Sequence, residues 1–168
     1  MDRQLSAYLN GREPQVATDI DVITAAVAVP LIEIDGEDHV LFTVRSQTLR
    51  RQPGEISFPG GHCESADKTG ADAAIRECSE ELGIDTEQIE LLGSLDCLVS
   101  AIGVKLHAVA VRLHTDEFRP NIDEVGEIFT VPLAYLLIME PTVGHLDIGT
   151  KPLRDFPFHL LEGYQIDW

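Results

Sequence analysis

A mixed β-sheet flanked by helices, of the α+β class, is the fold this sequence predicts, and three observations predict it. Several segments are apolar or alternating at strand length, most clearly Leu-His-Ala-Val-Ala-Val-Arg-Leu at 106–113. Only one long stretch, near 68–82, repeats its apolar residues at helical spacing. Strands and helices do not alternate regularly, so the connections are mixed. The 168 residues, 44% hydrophobic and 24% charged, suit one domain over 1–168 with a single core.

The elements follow in order. Residues 3–10 form a short opening helix that ends at Gly11. Residues 25–35 and 39–46 are two strands, and the acidic turn between them carries Gly36, which makes a hairpin. The segment 50–63 is a loop with a short strand around Ile56–Phe58, closed by Pro59-Gly60-Gly61. A helix runs from about Lys68 to Leu82, with Asp67 or Thr69 as N-cap and Gly83 as C-cap. Strands at roughly 89–99 and 104–113 come next. Residues 127–137 read as a strand running into a short helix begun by Pro132. The tail from Pro141 is hairpin and loop.

The longest apolar run, 25–34, is interrupted by Pro30 and falls well short of the roughly 20 residues that cross a bilayer. The first 14 residues hold no apolar secretory core. Three cysteines, Cys63, Cys78 and Cys97, are odd in number and lack C-x-x-C spacing, which suits a reduced cytoplasm. The formal net charge is −17, which opposes non-specific nucleic-acid binding because phosphate backbones would be repelled. Only Lys68, Lys105 and Lys151 are lysines. A lysine-poor acidic surface is either a halophilic adaptation or an ordinary acidic one. In the first case molar KCl raises the melting temperature by screening self-repulsion; in the second the melting temperature stays flat.

Chemistry concentrates in Gly70–Gly83. At 3.6 residues per turn, Ala71, Ala74, Ile75, Cys78 and Leu82 make one apolar stripe. Glu77 and Glu81 lie four apart, one above the other, with Glu80 beside them. Like charges so placed cost a few tenths of a kcal/mol each. A hard divalent cation would offset that, since Mg²⁺ favours carboxylate oxygens plus substrate phosphates. Arg76, four after Asp72 and four before Glu80, can hold an anion. A bare E-x-x-E-E in an acidic chain reads as a solvated face. What argues otherwise is the neighbouring turn at Gly60 and Gly61, where a carbonyl can face an ion and backbone N–H groups a phosphate. Arg45, Arg50 and Arg51 put three of nine arginines within seven residues, a basic island in an acidic chain. The plainer reading pairs them with surface acids. The six histidines, at 39, 62, 107, 114, 145 and 159, show no zinc spacing, and His62 abuts the Pro-Gly-Gly turn, within reach of a phosphate there.

Gly61-x5-Asp67 followed by Arg76-Glu77-Cys78-Ser79-Glu80-Glu81-Leu82-Gly83-Ile84 resembles the Nudix box, G-x5-E-x7-R-E-U-x-E-E-x-G-U. Three positions depart: Asp67 replaces a glutamate, eight residues rather than seven precede Arg76, and Cys78 stands for a larger aliphatic. Upstream, Leu41-Phe42-Thr43-x-Arg45-Ser46-x3-Arg50-x3-Gly54-x3-Phe58-Pro59-Gly60-Gly61 resembles the extended signature of the coenzyme A pyrophosphatases, a subfamily with the same aspartate and longer spacer. Residues 124–133 are similar to its E-V-x-x-x-F-x-V-P-L pattern.

The resemblance implies an α/β/α sandwich and Mg²⁺- or Mn²⁺-dependent hydrolysis of coenzyme A to 4′-phosphopantetheine and adenosine 3′,5′-bisphosphate. Glu77 and Glu81 would ligate metal, with Glu80 as third ligand or bridge to water and the Gly60 carbonyl completing a site. The general base is either a glutamate of the box or an acid on a distant loop, with Glu124 the loop candidate and Asp123 the reserve. Arg45, Ser46, Arg50, Arg51, Gly54, Phe58, Gly60 and Gly61 would bind substrate; planar arginine forks suit the pyrophosphate and 3′-phosphate. Rival substrates are ADP-ribose and dinucleoside polyphosphates. A Nudix domain that senses a nucleotide without cutting it is the rival from another class, and the intact Glu77, Glu80 and Glu81 argue against it. Relatives tend to continue past the equivalent of Gln165–Trp168 into a further helix, so this sequence is expected either to be truncated or to lack that cap. Dimers are common in the family, and a homodimer is among the assemblies it allows.

Overall fold

Alternation and turn chemistry build the first hairpin. A computed structural model describes residues 6, 7, 9, 23–99 and 104–140, and in it β1 (Ile23–Ile34) turns through Asp35 and Gly36 into β2 (Glu37–Arg45). Both turn residues have positive φ, 51° and 81°, the geometry that matches a two-residue loop to strand twist. Chain contacts divide the molecule after Leu137, and the fold described here is that of Met1–Leu137.

β1 is the spine of the sheet. Along one edge it pairs in parallel with β7 (Val104–Leu113), from Ile23↔Val104 to Leu31↔Arg112. Along the other, β4 (Gly60–His62) pairs with Ala25–Val27 and β2 with Leu31–Ile34. Pro30, which has no N–H to give, sits in the seam between those two partners. β2 also carries β3 (Ile56–Ser57) and β8 (Val125–Pro132), with a register shift between Val44 and Arg45. β7 takes β5 (Ile89–Ser94) and β6 (Leu98–Val99) on its far side. The expected single strand over 89–99 is therefore two strands, broken at 95–97.

The parallel β1–β7 pair needs a crossover, and α1 (Gly70–Leu82) supplies it. Thr69 is its N-cap and forms a capping box with Asp72; Gly83, at φ 64°, is its C-cap. Ala73, Ala74, Cys78 and Leu82 are fully buried against Ala26, Ala28, Leu41, Val109 and Val111. The buried face is thus turned from the predicted stripe: Ala73 and Glu81 lie inside it, while Ala71 and Ile75 are partly buried. A second core forms without α1, from Leu9, Leu31, Val40, Leu92 and Ala110, with Phe42, Phe58, Leu133 and Leu136 against it. Helices therefore cover both faces of a mixed sheet, as the predicted α+β class requires. α2 (Leu133–Ile138) begins just after Pro132, which ends β8. Of the expected opening helix, Ser6, Ala7 and Leu9 are helical; its remainder, Gly11 and the tail from Pro141 lie outside the described residues. No helix among the described residues is long and apolar enough to cross a membrane.

Candidate active site

The Pro-Gly-Gly turn works by close approach. β4 slips between β1 and α1, and a Cβ on Gly60 would overlap the Ala26 carbonyl and Val27. A Cβ on Gly61 would overlap the carboxyl group of Glu77. Only glycine lets the strand run this near both the sheet and the acidic helix. The Gly60 N–H, expected to face a phosphate, instead donates to Glu81 Oε1 at 3.3 Å.

The three box glutamates have separate environments. Glu81 is 7% exposed, and burial pushes its carboxyl up to about 7. The Gly60 N–H opposes that rise, the carboxylates of Glu124 and Glu77 add to it, and Arg45 lowers it. Glu77 accepts from Arg76 Nη1 at 2.9 Å. Glu80 is 59% exposed and meets the same nitrogen at 3.4 Å. Arg76 grips Asp67 through Nε and Nη2, at 3.3 and 3.1 Å, and donates to the His62 carbonyl at 3.1 Å. The Asp67 and Glu77 carboxylates hold the guanidinium charged, and its hydrogen bonds in turn hold the Asp67 carboxyl below its ordinary range. The anions that Arg76 holds are thus Asp67, Glu77 and Glu80, and through Asp67 the arginine ties the loop after β4 to the helix. Asp72 is taken by the capping box.

The segment after β7 docks on the end of α1. Arg119 N donates to the Leu82 carbonyl at 2.9 Å and Asn121 N to the Glu81 carbonyl at 3.1 Å, so residues 119–125 dock on the end of α1. Glu124 is exposed, with its carboxylate in electrostatic reach of Glu81. Asp123, the reserve candidate, is exposed as well. Asn121 and Thr48 were not anticipated as site residues; Asn-x-Asp is an Asx-turn cue, but backbone bonds of this kind leave no mark in sequence.

The arginine loop divides. Arg45 is half-buried, and its Nε has no hydrogen-bond partner among the described residues. Arg50 and Arg51 are exposed and form no ion pair with any described acid. Gly54 closes the loop by donating its N–H to the Arg45 carbonyl at 3.0 Å. Ser46 is buried and bonded to Thr48 Oγ1 at 2.9 Å. Phe58 stacks on Phe42 at 4.9 Å, within the core that excludes α1. His62 is exposed.

The donor set fits a hard divalent ion: all oxygen, with a buried carboxylate that neighbouring carboxylates disfavour as an anion. Among the described residues no three such groups are gathered at ligating distance, because Arg76 holds Glu77 while Glu80 points outward. Glu77, Glu80 and Glu81 are the groups a cation would draw together.

Residues 23–144 match the NUDIX domain family. The chain is 38% identical to the peroxisomal coenzyme A diphosphatase NUDT7 of Mus musculus over 144 residues, 82% of this chain and 58% of that protein. It is 40% identical to the mitochondrial coenzyme A diphosphatase NUDT8 of Homo sapiens over 118 residues, 68% of this chain and 50% of that one. The chain thus spans about half to three fifths of the length of these curated relatives. Among solved structures, the Ap4A hydrolase of C. elegans in a binary complex superposes with a TM-score of 0.56 at 21% identity, over 69% of this chain and 84% of that one. The NUDIX domain of Shewanella oneidensis NrtR complexed with ADP ribose gives 0.54 at 20%, over 80% and 87%. At those identities the two structures share the fold. A family match that runs from the first residue of β1 past the end of α2, with relatives this similar, decides membership: the chain belongs to the Nudix family.

Proposed function

We propose that this protein hydrolyses the diphosphate of coenzyme A and its derivatives, releasing 4′-phosphopantetheine and adenosine 3′,5′-bisphosphate. Glu77, Glu80, Glu81 and the Gly60 carbonyl would hold Mg²⁺ or Mn²⁺. A bound divalent ion supplies neutralisation of the diphosphate charge and acidifies the attacking water. Glu124 takes the proton from that water as its oxygen adds to phosphorus and the bond to the departing phosphate breaks. Arg76 keeps Glu77 and the loop after β4 in register through Asp67. The coenzyme A diphosphatase names of the relatives support the substrate. Free thiols at Cys63, Cys78 and Cys97 suit a reduced compartment such as the cytoplasm.

The observation that carries the reading is the exposed pair Arg50 and Arg51, without a described acidic partner, on the loop that leads into the catalytic turn. In an acidic chain, exposed arginines without a described acidic partner are suited to a terminal phosphate such as the 3′-phosphate of coenzyme A. A charge-assisted contact of that kind contributes about 1.5–3 kcal/mol, or roughly a 10- to 150-fold preference. Arg50→Ala should therefore lower kcat/KM on coenzyme A by that factor and much less on dephospho-coenzyme A. Equal losses on both would move Arg50 to the diphosphate or to a structural role. A wild type that prefers ADP-ribose would end the coenzyme A reading.

A further inference from the structure

Residues 119–125 lie between two parts of the proposed site that the sequence keeps far apart. Towards α1, they cap the carbonyls of Glu81 and Leu82 through the N–H groups of Asn121 and Arg119. Towards the arginine loop, the Glu124 carbonyl accepts from Ser46 N at 2.7 Å and the Asp123 carbonyl from Thr48 Oγ1 at 3.5 Å. Asn121 closes the turn between these contacts. Its carbonyl accepts from Glu124 N at 3.0 Å and Val125 N at 2.7 Å, and its Oδ1 accepts from Asp123 N at 3.2 Å. The side chain is exposed and buries little, so its contribution is that Asx-turn bond.

We infer that Asn121 is a positioning residue of the active site, whose turn holds Glu124 beside Glu81 and ties that pair to the loop bearing Arg50 and Arg51. This rests on the proposed function, in which Glu124 receives a proton from the attacking water. Without the Asx bond the turn keeps its backbone contacts but loses the side-chain constraint on Ile122 and Asp123. Glu124 follows directly on Asp123, so the set of its carboxylate depends on theirs.

The test is steady-state kinetics in saturating Mg²⁺ on wild type, Asn121→Ala, Asn121→Ser, Glu124→Gln and the Asn121→Ala/Glu124→Gln double variant. Each is assayed on whichever of coenzyme A, ADP-ribose and a dinucleoside polyphosphate the wild type cuts best. Asn121→Ala should lower kcat about 10- to 100-fold, the scale of an ångström-sized misplacement, with KM within about threefold. Asn121→Ser should recover most of that, since its hydroxyl accepts from the same amide without adding charge. In the Glu124→Gln background Asn121→Ala should change kcat no further, because residues acting through one another are not additive. Amide exchange at Ser46 and Asp123 should quicken in Asn121→Ala while that of β7 stays as in wild type. Full activity in Asn121→Ala, no recovery in Asn121→Ser, or equal losses in both backgrounds would each overturn the inference. So would quickened exchange throughout β7, which would mark a global loss of stability. A wild type that prefers ADP-ribose overturns the coenzyme A reading and leaves this series intact, whereas turnover of none of the three diphosphates overturns both.

Discussion

Glu81→Gln should leave the protein folded and cost at least about 100-fold in turnover at saturating Mg²⁺, the scale of losing one charge-stabilising group in a water-poor site. The glutamine keeps the shape of the side chain, and its amide oxygen still accepts from the Gly60 N–H. What it loses is the charge on the one box glutamate that is buried. The same substitution should stabilise the metal-free protein at high pH. The folded carboxyl titrates at about 7, above the ordinary value of 4.5, so the folded state binds this proton more tightly than the unfolded chain does. Its stabilisation is complete below the unfolded value and is lost as pH rises through about 7. Chelated wild type should therefore lose on the order of 3 kcal/mol relative to Glu81→Gln between pH 4.5 and pH 8, at about 1.36 kcal/mol per unit. Denaturant midpoints at several pH values measure this. Parallel curves for the two proteins would remove the burial argument, and turnover within a few-fold of wild type would remove Glu81 from the metal site.

Gly83→Ala should have the largest effect on stability. Gly83 sits at φ 64°, where an L side chain is strained by about 1 kcal/mol. A Cβ there would also run into the Arg119 carbonyl, which is backbone and cannot swing aside. The clash falls where Arg119 and Asn121 dock on the end of α1, so relief means undocking that segment. A loss of about 3–5 kcal/mol follows, the range of severe single substitutions, or roughly 6–20 °C in Tm at this chain length. Surviving activity should fall as well, because Glu124 rides on the displaced segment. Calorimetry checks the first effect. A Tm within about 2 °C of wild type would show that the segment yields freely.

Much of this was legible in the residues. Strand alternation, the Asp35-Gly36 turn, Thr69 as cap and Gly83 as terminator are local rules, each needing only near neighbours in the chain. The spacing of Glu77, Glu80 and Glu81 placed all three on one helix without any tertiary information. The helix face was legible only to within a fraction of a turn. Glu81 is an acid, and no periodicity argument assigns an acid to the buried side; it lies there because the Gly60 N–H meets it and α1 packs tightly on the sheet. The break in 89–99 was hidden for a similar reason, since pairing along β7, and not local propensity, decides where β5 ends and β6 begins.

The sequence by itself determined the class of fold, the acidic helix, the Pro-Gly-Gly turn and the family that they mark, because each is written in contiguous residues at fixed spacing. Only the tertiary structure decided that Arg76 answers Asp67, that the Phe58 ring joins the core that excludes α1, and that Glu124 comes up beside Glu81. Those are contacts between segments 9 to more than 40 residues apart. Folding chooses them by burial and by the pairing of backbone groups, which leave no periodic trace in the chain.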